Sequence, residues 1–233
     1  HCVESGKKLS ESVLWEQMRR FYATQGVEAW SKGIVPFFIT CNAFIASAYA
    51  KTILGYIQDV VSSGDFVQEE PFHIVELGVG SGKFSFLLLK ALMERVHLYY
   101  GDEAPFRITY VMTDFCDAPF GFWKAHRALR KYINQGTLDF ATLDACNDAS
   151  IVLRMSGKSI EEASLRNPLI VVANYLFDSL PADAYRMHRG RLEEGLVSIW
   201  SKQDEPDPTE PAILSRFNPV FQWEKIAPEK VAQ

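Results

Sequence analysis

The segment from His73 to Gly82, His-Ile-Val-Glu-Leu-Gly-Val-Gly-Ser-Gly, constrains the fold more than any other part of the chain. It has the pattern of a short buried strand that ends at an acid, then a three-glycine turn, then an apolar run from Phe84 to Leu92. Glycine lets the backbone approach a neighbouring group where a side chain would collide. The helix expected after the turn presents unpaired N–H groups and its positive dipole end at the same place. We therefore expect a strand, a tight turn and a helix, with a ligand at the turn.

The spacing of the glycines separates the kinds of nucleotide site that use such a turn. A phosphate-binding P-loop requires a glycine, four residues, and then Gly-Lys followed by Ser or Thr. Gly82-Lys83 is present, but Leu77 and Phe84 occupy the first glycine position and the hydroxyl position, which excludes a P-loop. A dinucleotide-binding turn has the spacing G-x-G-x-x-G. Gly82 comes one residue too early for it, which weakens that alternative. A turn that only reverses the chain also stays open.

The spacing Glu-x-Gly-x-Gly-x-Gly over residues 76–82 resembles motif I of class I S-adenosylmethionine (AdoMet) methyltransferases. The resemblance implies that the glycine turn faces the amino-acid end of the cofactor. It also implies that Glu76 helps to position that end of the cofactor.

Around this turn, segments of strand length alternate with segments of helical period, which is typical of a mostly parallel sheet. The predicted strands are 73–77, 108–113, 138–143 and 169–173. The predicted helices are 9–30, a second beginning at Thr40 or Asn42, 83–99, 120–134 and 159–165. Residues 185–187 and 196–200 flank Arg189-Gly190-Arg191, which predicts an antiparallel ribbon.

Each of the four predicted parallel strands ends at a polar side chain, in the order Glu76, Asp114, Asp144 and Asn174. Ligands of open α/β sheets bind at the carboxyl ends of the strands, so we expect these side chains to gather around the glycine turn. Ribose hydroxyls and an adenine amino group both need hydrogen-bond acceptors, and Asp114 and Asp144 are the candidates for those two roles. The alternative is that such residues only cap strands and start helices.

Three segments together are similar to the MidA-like methyltransferase family. They are Phe38-Ile-Thr-Cys-Asn42, the glycine turn from Val75 to Gly82, and Val172-Ala-Asn-Tyr-Leu-Phe-Asp-Ser-Leu-Pro181. The similarity implies a Rossmann-like class I methyltransferase sheet with N-terminal helices. It implies S-adenosyl-L-methionine as cofactor and S-adenosyl-L-homocysteine as product. The cofactor-binding residues that it implies are Glu76, Gly78, Gly80, Gly82, Asp114, Asp144, Asn174 and Thr40.

The chain departs from the family pattern where the methyl acceptor is expected. The family's Pro-Glu is Asn42-Ala43 here, and its Asn-Glu is Asn174-Tyr175. Two acids are thereby absent, so the acceptor stays open between a protein side chain and a small metabolite. Asp178 is the candidate catalytic base because it follows Asn174 by the length of one helical turn; a helix cap is the alternative. Aromatic side chains suited to a pocket of low dielectric constant are Phe37, Phe38, Tyr175 and Phe177.

The sequence predicts three regions. Residues 1–65 form an N-terminal helical segment that packs on the core and covers the cofactor, and residues 66–201 form the AdoMet-binding core. Residues 202–233 form an acidic, proline-rich loop and a C-terminal extension. Four parallel strands are fewer than a complete class I methyltransferase sheet contains. Either the ribbon completes the sheet, or the chain is truncated on its C-terminal side, which we favour.

Composition limits the classes of partner that the chain is expected to bind. The net charge of −5 does not favour binding to nucleic acid or to an anionic membrane. The most apolar stretch, 33–50, is too polar to span a bilayer. The four cysteines are widely separated, which predicts no metal site and reduced thiols in the cytoplasm or an organellar matrix. We expect an AdoMet-dependent methyltransferase; the alternatives are a non-catalytic AdoMet-binding assembly or interaction module and a nicotinamide-dependent oxidoreductase. The sequence does not indicate an oligomeric state.

Overall fold

The structure, a computed structural model, describes residues 1–161 and 164–226. Its strands in chain order are β1 (Cys2–Lys8), β2 (Phe72–Glu76), β3 (Ile108–Asp114), β4 (Leu138–Thr142), β5 (Ile151–Val152), β6 (Ser159–Ile160), β7 (Ile170–Val172), β8 (Ala184–His188), β9 (Arg191–Ser201) and β10 (Phe217–Lys225). Its α-helices are α1 (Val13–Gln25), α2 (Glu28–Ser31), α3 (Ala43–Ser63), α4 (Lys83–Tyr100), α5 (Phe120–Ala125) and α6 (Arg130–Asn134). Short 3₁₀ helices lie at Leu9–Glu11, Phe177–Ser179 and Pro211–Arg216.

The chain divides into two compact units. The first consists of residues 1–24 together with 178–233, and the second of residues 25–177. This division differs from the predicted bounds of 1–65, 66–201 and 202–233. The reason is strand pairing: β9 hydrogen-bonds with β1 from the opposite end of the sequence and also with β8 and β10, and in the described residues these four strands form a sheet separate from the parallel one.

The second unit contains the parallel sheet, in the strand order β4-β3-β2-β7. The chain builds outwards from β2 to β3 and β4, and then returns to the other side of β2 to form β7. The direction of winding therefore reverses between β2 and β7. In doubly wound folds this reversal opens a crevice at the carboxyl ends of the two strands. The four predicted parallel strands are confirmed, and the fold is a mixed α/β fold with a Rossmann-like strand order.

One face of this sheet carries the main hydrophobic core. Phe72 and Ile74 of β2 pack with buried residues of α3 and α4, among them Ile57 and Leu88. The two helices contact each other along their lengths, and Arg95 of α4 donates a hydrogen bond to Ser47 of α3. Fully burying one such aliphatic side chain stabilises the fold by about 1.5–3 kcal/mol. This core holds α4, and with it the glycine turn, against the sheet.

The opposite face is covered by a smaller cluster in which Val75, Val111 and Leu143 of the sheet region meet Ile151 and Ile160. Strands β5 and β6 form a short antiparallel pair over it. The buried carboxylate of Asp139 accepts hydrogen bonds from the backbone N–H groups of Phe140, Met155 and Ser156. A buried charge is tolerated when its oxygens are satisfied in this way.

The first unit is an antiparallel sheet in which β9 pairs with β10 on one side and with β1 and β8 on the other. Arg189 and Gly190, both with positive φ, connect β8 to β9, as a two-residue hairpin of this twist requires. The predicted ribbon is thus confirmed, but it does not complete the parallel sheet. In the same unit the Glu4 carboxylate accepts hydrogen bonds from the Ser12 hydroxyl and from the first N–H of α1.

Three predicted helices differ from the described residues. The predicted helix 9–30 is a short 3₁₀ helix followed by α1 and α2, which are separated at Gly26, where φ is positive. The predicted helix 120–134 is two short helices, because His126 adopts an extended backbone conformation that ends α5. The predicted helix 159–165 begins instead with β6, because Ile160 is buried against Ile151 in the smaller cluster. Residues 162–163 of that prediction lie outside the described residues.

In the described part of the chain, no helix combines the length and the apolarity needed to cross a bilayer. Residues 1–161 and 164–226 also contain no group of three or more His, Cys, Asp or Glu side chains placed to hold a metal ion.

The start of α3 generates a testable prediction. The Asn42 side-chain oxygen accepts a hydrogen bond from the Ile45 N–H at 3.0 Å, and its amide group donates to the carbonyls of Phe38 and Ile39. Asn42→Ala removes the cap and the loop contacts, and we expect it to lower the free energy of unfolding by about 1–2 kcal/mol. Asn42→Asp keeps the acceptor and should cost less. Urea denaturation measures both; equal stability of Asn42→Ala and the wild type would contradict this account of the cap.

Candidate functional site

The glycine turn lies at the carboxyl end of β2, beside the point where the winding of the sheet reverses. Gly78, Gly80 and Gly82 all have positive φ, at 65°, 57° and 77°, a region that residues with a side chain rarely adopt. The turn is tied to both neighbouring strands. The Leu77 N–H donates to the Val172 carbonyl of β7, and the Val79 N–H donates to the Thr113 carbonyl of β3, each at 2.9 Å.

Asp114, at the end of β3, is joined directly to this turn. Its carboxylate accepts a hydrogen bond from the Gly80 N–H at 3.0 Å, and only 7% of the residue is exposed. Burial raises the pKa of the Asp114 carboxyl to about 6, although backbone N–H groups, that of Gly80 foremost, oppose the rise. The residue expected to bind ribose therefore also fixes the conformation of the glycine turn.

Glu76, the acid that ends β2, is almost completely buried, with 3% of the residue exposed. The Tyr110 hydroxyl donates to its carboxylate at 2.6 Å, and the Thr113 hydroxyl donates to its backbone carbonyl at 2.7 Å. Burial raises the pKa of the Glu76 carboxyl to about 7, and the negative charge of Asp114 adds to that rise. Two buried carboxyls that titrate near neutral pH in one place are typical of functional sites, although structural networks also produce them.

Thr40 and Asn174 approach each other, as expected of two residues of one site. The Asn174 amide donates a hydrogen bond to the Thr40 backbone carbonyl at 3.4 Å. Leu176, two residues after Asn174, lies over Gly78, where an added Cβ would be 2.7 Å from the Leu176 Cδ1. The loop before α3, the loop after β7 and the glycine turn therefore meet at the reversal point of the sheet.

Asp144 instead organises its own turn. Its carboxylate accepts hydrogen bonds from the Cys146 N–H and the Asn147 side-chain amide, while its N–H donates to Asp148. This arrangement corresponds to the capping alternative. An adenine-binding role for Asp144 stays a prediction.

The spacing argument for Asp178 is wrong. Residues 174–178 do not form a helical turn, because Tyr175 has a φ of 58° and so turns the chain out of the helical region. Asp178 is exposed in the 3₁₀ turn Phe177–Ser179 and is the first residue of the C-terminal part of the first unit. Its role as a catalytic base stays a prediction.

Two tryptophans, neither of which the sequence singles out, contact the glycine turn. The Trp123 indole N–H donates to the Gly80 carbonyl at 3.0 Å, and its ring lies beside Gly82. The Trp30 ring covers Gly80, where an added Cβ would lie 2.6–2.9 Å from three ring atoms. No short motif surrounds either residue, so only their three-dimensional position reveals the contact.

Two segments beside the turn, 33–44 and 174–177, expose large apolar side chains. Phe38, Ile39 and Phe44 are exposed near the start of α3, and Tyr175 and Phe177 after β7. The segments 33–44 and 174–177 contain no charged residue. The Lys83 ammonium lies 5.0 Å from the centre of the Phe37 ring, within the range of a cation–π contact. The left-handed backbone of Tyr175 is uncommon for a bulky residue and costs about 1–2 kcal/mol.

Comparisons with known proteins find similarity among solved structures. No family model matches the chain, and no curated protein is significantly similar to it. One similar structure is that of a COG1565 superfamily member and candidate methyl transferase from Burkholderia thailandensis, bound to S-adenosyl-homocysteine. It is 17% identical with a TM-score of 0.42, and the match covers 82% of this chain and 37% of that one.

A second similar structure is that of an uncharacterized ACR, COG1565 superfamily protein from the same organism. It is 15% identical with a TM-score of 0.44, and the match covers 96% of this chain and 50% of that one. The chain therefore spans half or less of the length of these two proteins.

The buried Glu76 carboxyl generates a prediction about pH. Its pKa is about 7 in the folded protein and 4.5 in the reference state. Because the folded state holds the proton more tightly, this stabilisation is fully present below pH 4.5 and is lost as the pH rises to about 7. At about 1.36 kcal/mol for each pH unit, the wild type should lose on the order of 3 kcal/mol relative to Glu76→Gln across this window.

Urea denaturation of both proteins at several pH values measures this difference. Comparing the two proteins cancels the contributions of titrating groups that do not interact with Glu76, such as His73, whose pKa is lowered by burial. A difference between wild type and Glu76→Gln that does not change with pH would contradict the assignment.

Proposed function

We propose that the crevice between β2 and β7 binds S-adenosyl-L-methionine and that the chain is an AdoMet-dependent methyltransferase of the MidA-like type. One observation carries this proposal. The three left-handed glycines of motif I and the carboxylate that ends the next strand form a single hydrogen-bonded unit, at the edge where doubly wound sheets bind nucleotides. The neighbouring loops that contain Thr40 and Asn174 carry the other two segments of the family resemblance.

The chemistry of the residues fits the cofactor. A carboxylate oxygen has two lone pairs, so Asp114 can bind Gly80 and still accept from a ribose hydroxyl. The same applies to Asp144 and an adenine amino group. Glu76 acts through the turn, because it is buried behind it and bonded to Tyr110. One contact in the structure obstructs the cofactor. The Trp30 ring covers the face of Gly80 that the cofactor would approach.

S-adenosyl-L-methionine supplies an electrophilic methyl group when it is bound. The chain itself contributes alignment of the acceptor and exclusion of water, because methyl transfer from a sulfonium is an in-line displacement. The aromatic side chains Phe37, Phe38, Tyr175 and Phe177 provide apolar walls of low dielectric constant for this step. The acceptor belongs to one of two classes, a protein side chain or a small metabolite.

Titration calorimetry with AdoMet and S-adenosyl-homocysteine tests the proposal. We expect the wild type to bind both, and Gly80→Val to lose binding because its side chain fills the space that the cofactor backbone needs. Gly136→Val is the matched control: Gly136 also has a positive φ, but an added Cβ there contacts nothing within 4 Å. It should bind as the wild type does.

Circular dichroism establishes that the variants are folded. Absence of heat with the wild type at high protein concentration would contradict the proposal, as would equal affinity of the two variants. Competition by NAD in the same titration would favour the nicotinamide-dependent alternative instead.

A non-catalytic AdoMet-binding module is the second candidate, and a specific observation favours it. The positions of the two family acids hold Ala43 and Tyr175, and the segments 33–44 and 174–177 contain no carboxylate to take a proton from an amine acceptor. For such a module we expect AdoMet binding without a methylated product across a panel of amine, guanidine and small-molecule acceptors. Mass spectrometry of those reactions measures this, and any methylated product would exclude the second candidate.

A further inference from the structure

The three glycines of the turn are each covered by a side chain of the chain itself, and the tryptophans that cover Gly82 and Gly80 differ in burial. Gly82 faces Met112 and Trp123, two fully buried residues of the main core. Trp123 is also anchored by its hydrogen bond to the Gly80 carbonyl. Gly80, at the centre of the turn, is covered by Trp30, which is only half-buried.

Contact between Trp30 and Gly80 is close. The ring atoms Cζ2, Cη2 and Cε2 of Trp30 lie 2.6, 2.8 and 2.9 Å from the position that a Cβ on Gly80 would occupy. The six-membered part of the indole therefore rests on the bare Cα of Gly80. Any ligand that uses the absence of a side chain at Gly80 has to occupy the same space as this ring.

The element that carries Trp30 is short and has a glycine suited to a hinge on each side. Helix α2 has only four residues, and it lies between two glycines with positive φ, Gly26 at 51° and Gly33 at 72°. An added Cβ at Gly33 would contact nothing within 4 Å, so this hinge is sterically open. Hinges of domains and lids are a few loop positions that absorb a change in φ and ψ. The buried Ala29 and the bond from the Val35 N–H to its carbonyl hold the base of the segment.

We propose that Trp30 is the gate of the glycine turn: its indole occupies the ligand's place at Gly80 and swings out when the ligand binds. This inference rests on the proposed function and adds its regulation. The covering ring keeps water from the turn while no ligand is present. The apparent affinity is then the intrinsic affinity reduced by the fraction of molecules in which the ring is displaced.

The test is S-adenosyl-homocysteine binding by the full chain, measured by calorimetry for the wild type, Trp30→Phe and Trp30→Ala. Trp30→Ala removes the ring that competes with the ligand for the space at Gly80, so this variant should bind S-adenosyl-homocysteine more tightly than the wild type does. Because minor conformations are commonly populated at 0.1–10%, the expected gain is about tenfold or more. Trp30→Phe should lie between the two. If Trp30→Ala does not fold, Trp30→Leu carries the same expectation.

Tryptophan fluorescence provides a second readout that does not depend on catalysis. Displacement of a half-buried indole into water should shift the wild-type emission to longer wavelength during the titration, and Trp30→Phe should lose most of that shift. If the wild type binds and Trp30→Ala binds equally or more weakly, the indole is a wall or a bystander. That result would contradict the role of Trp30 as a gate and leave the proposed function standing. If only Trp30→Ala binds, the gate and the proposed function are both supported. If neither protein binds, both are contradicted.

Discussion

The hydrogen bond from the Gly80 N–H to the Asp114 carboxylate is the interaction on which the candidate site depends. It joins the centre of the glycine turn, which follows β2, to the end of β3, and so connects two strands whose ends carry candidate cofactor-binding residues. Two further hydrogen bonds hold the turn in place. The Trp123 indole N–H donates to the Gly80 carbonyl, and the Val79 N–H donates to the Thr113 carbonyl. A turn held in this way is preorganised, which lowers the free-energy cost of ordering it around a ligand.

Two buried carboxyls form the unfavourable part of this arrangement. Glu76 and Asp114 lie in the core region behind and beside the turn, where burial disfavours the charge on each and the charge of Asp114 further raises the pKa of Glu76. The pKa values of about 7 and about 6 show that neither carboxyl is fully compensated by its hydrogen bonds. A core built only for stability would hold apolar groups here. The ligand proposed for the three left-handed glycines would account for the presence of both acids beside them.

The sequence predicted the parts of the fold that local pattern determines. Strands β2, β3, β4 and β7 followed from short apolar runs, and α4 from its apolar period after Gly82. The pairing of β1 with β9 was not predictable, because Cys2–Lys8 is polar and its partner lies near the other end of the chain. The break at His126 depends on one backbone conformation that no residue type demands.

The candidate site was likewise predictable only where local pattern determines it. The glycines and Asp114 were predicted because strand ends meet at one edge of a parallel sheet, whereas Trp30 is brought to Gly80 only by the path of the chain between α1 and α3.

The central claim is that a ligand binds at this turn. Amide NMR spectra of the chain labelled with ¹⁵N-glycine, titrated with S-adenosyl-homocysteine, test it most directly. The account predicts that Gly78, Gly80 and Gly82 shift while most of the other 11 of the 14 glycines do not. Unchanged signals from all three, or shifts confined to glycines elsewhere, would contradict it.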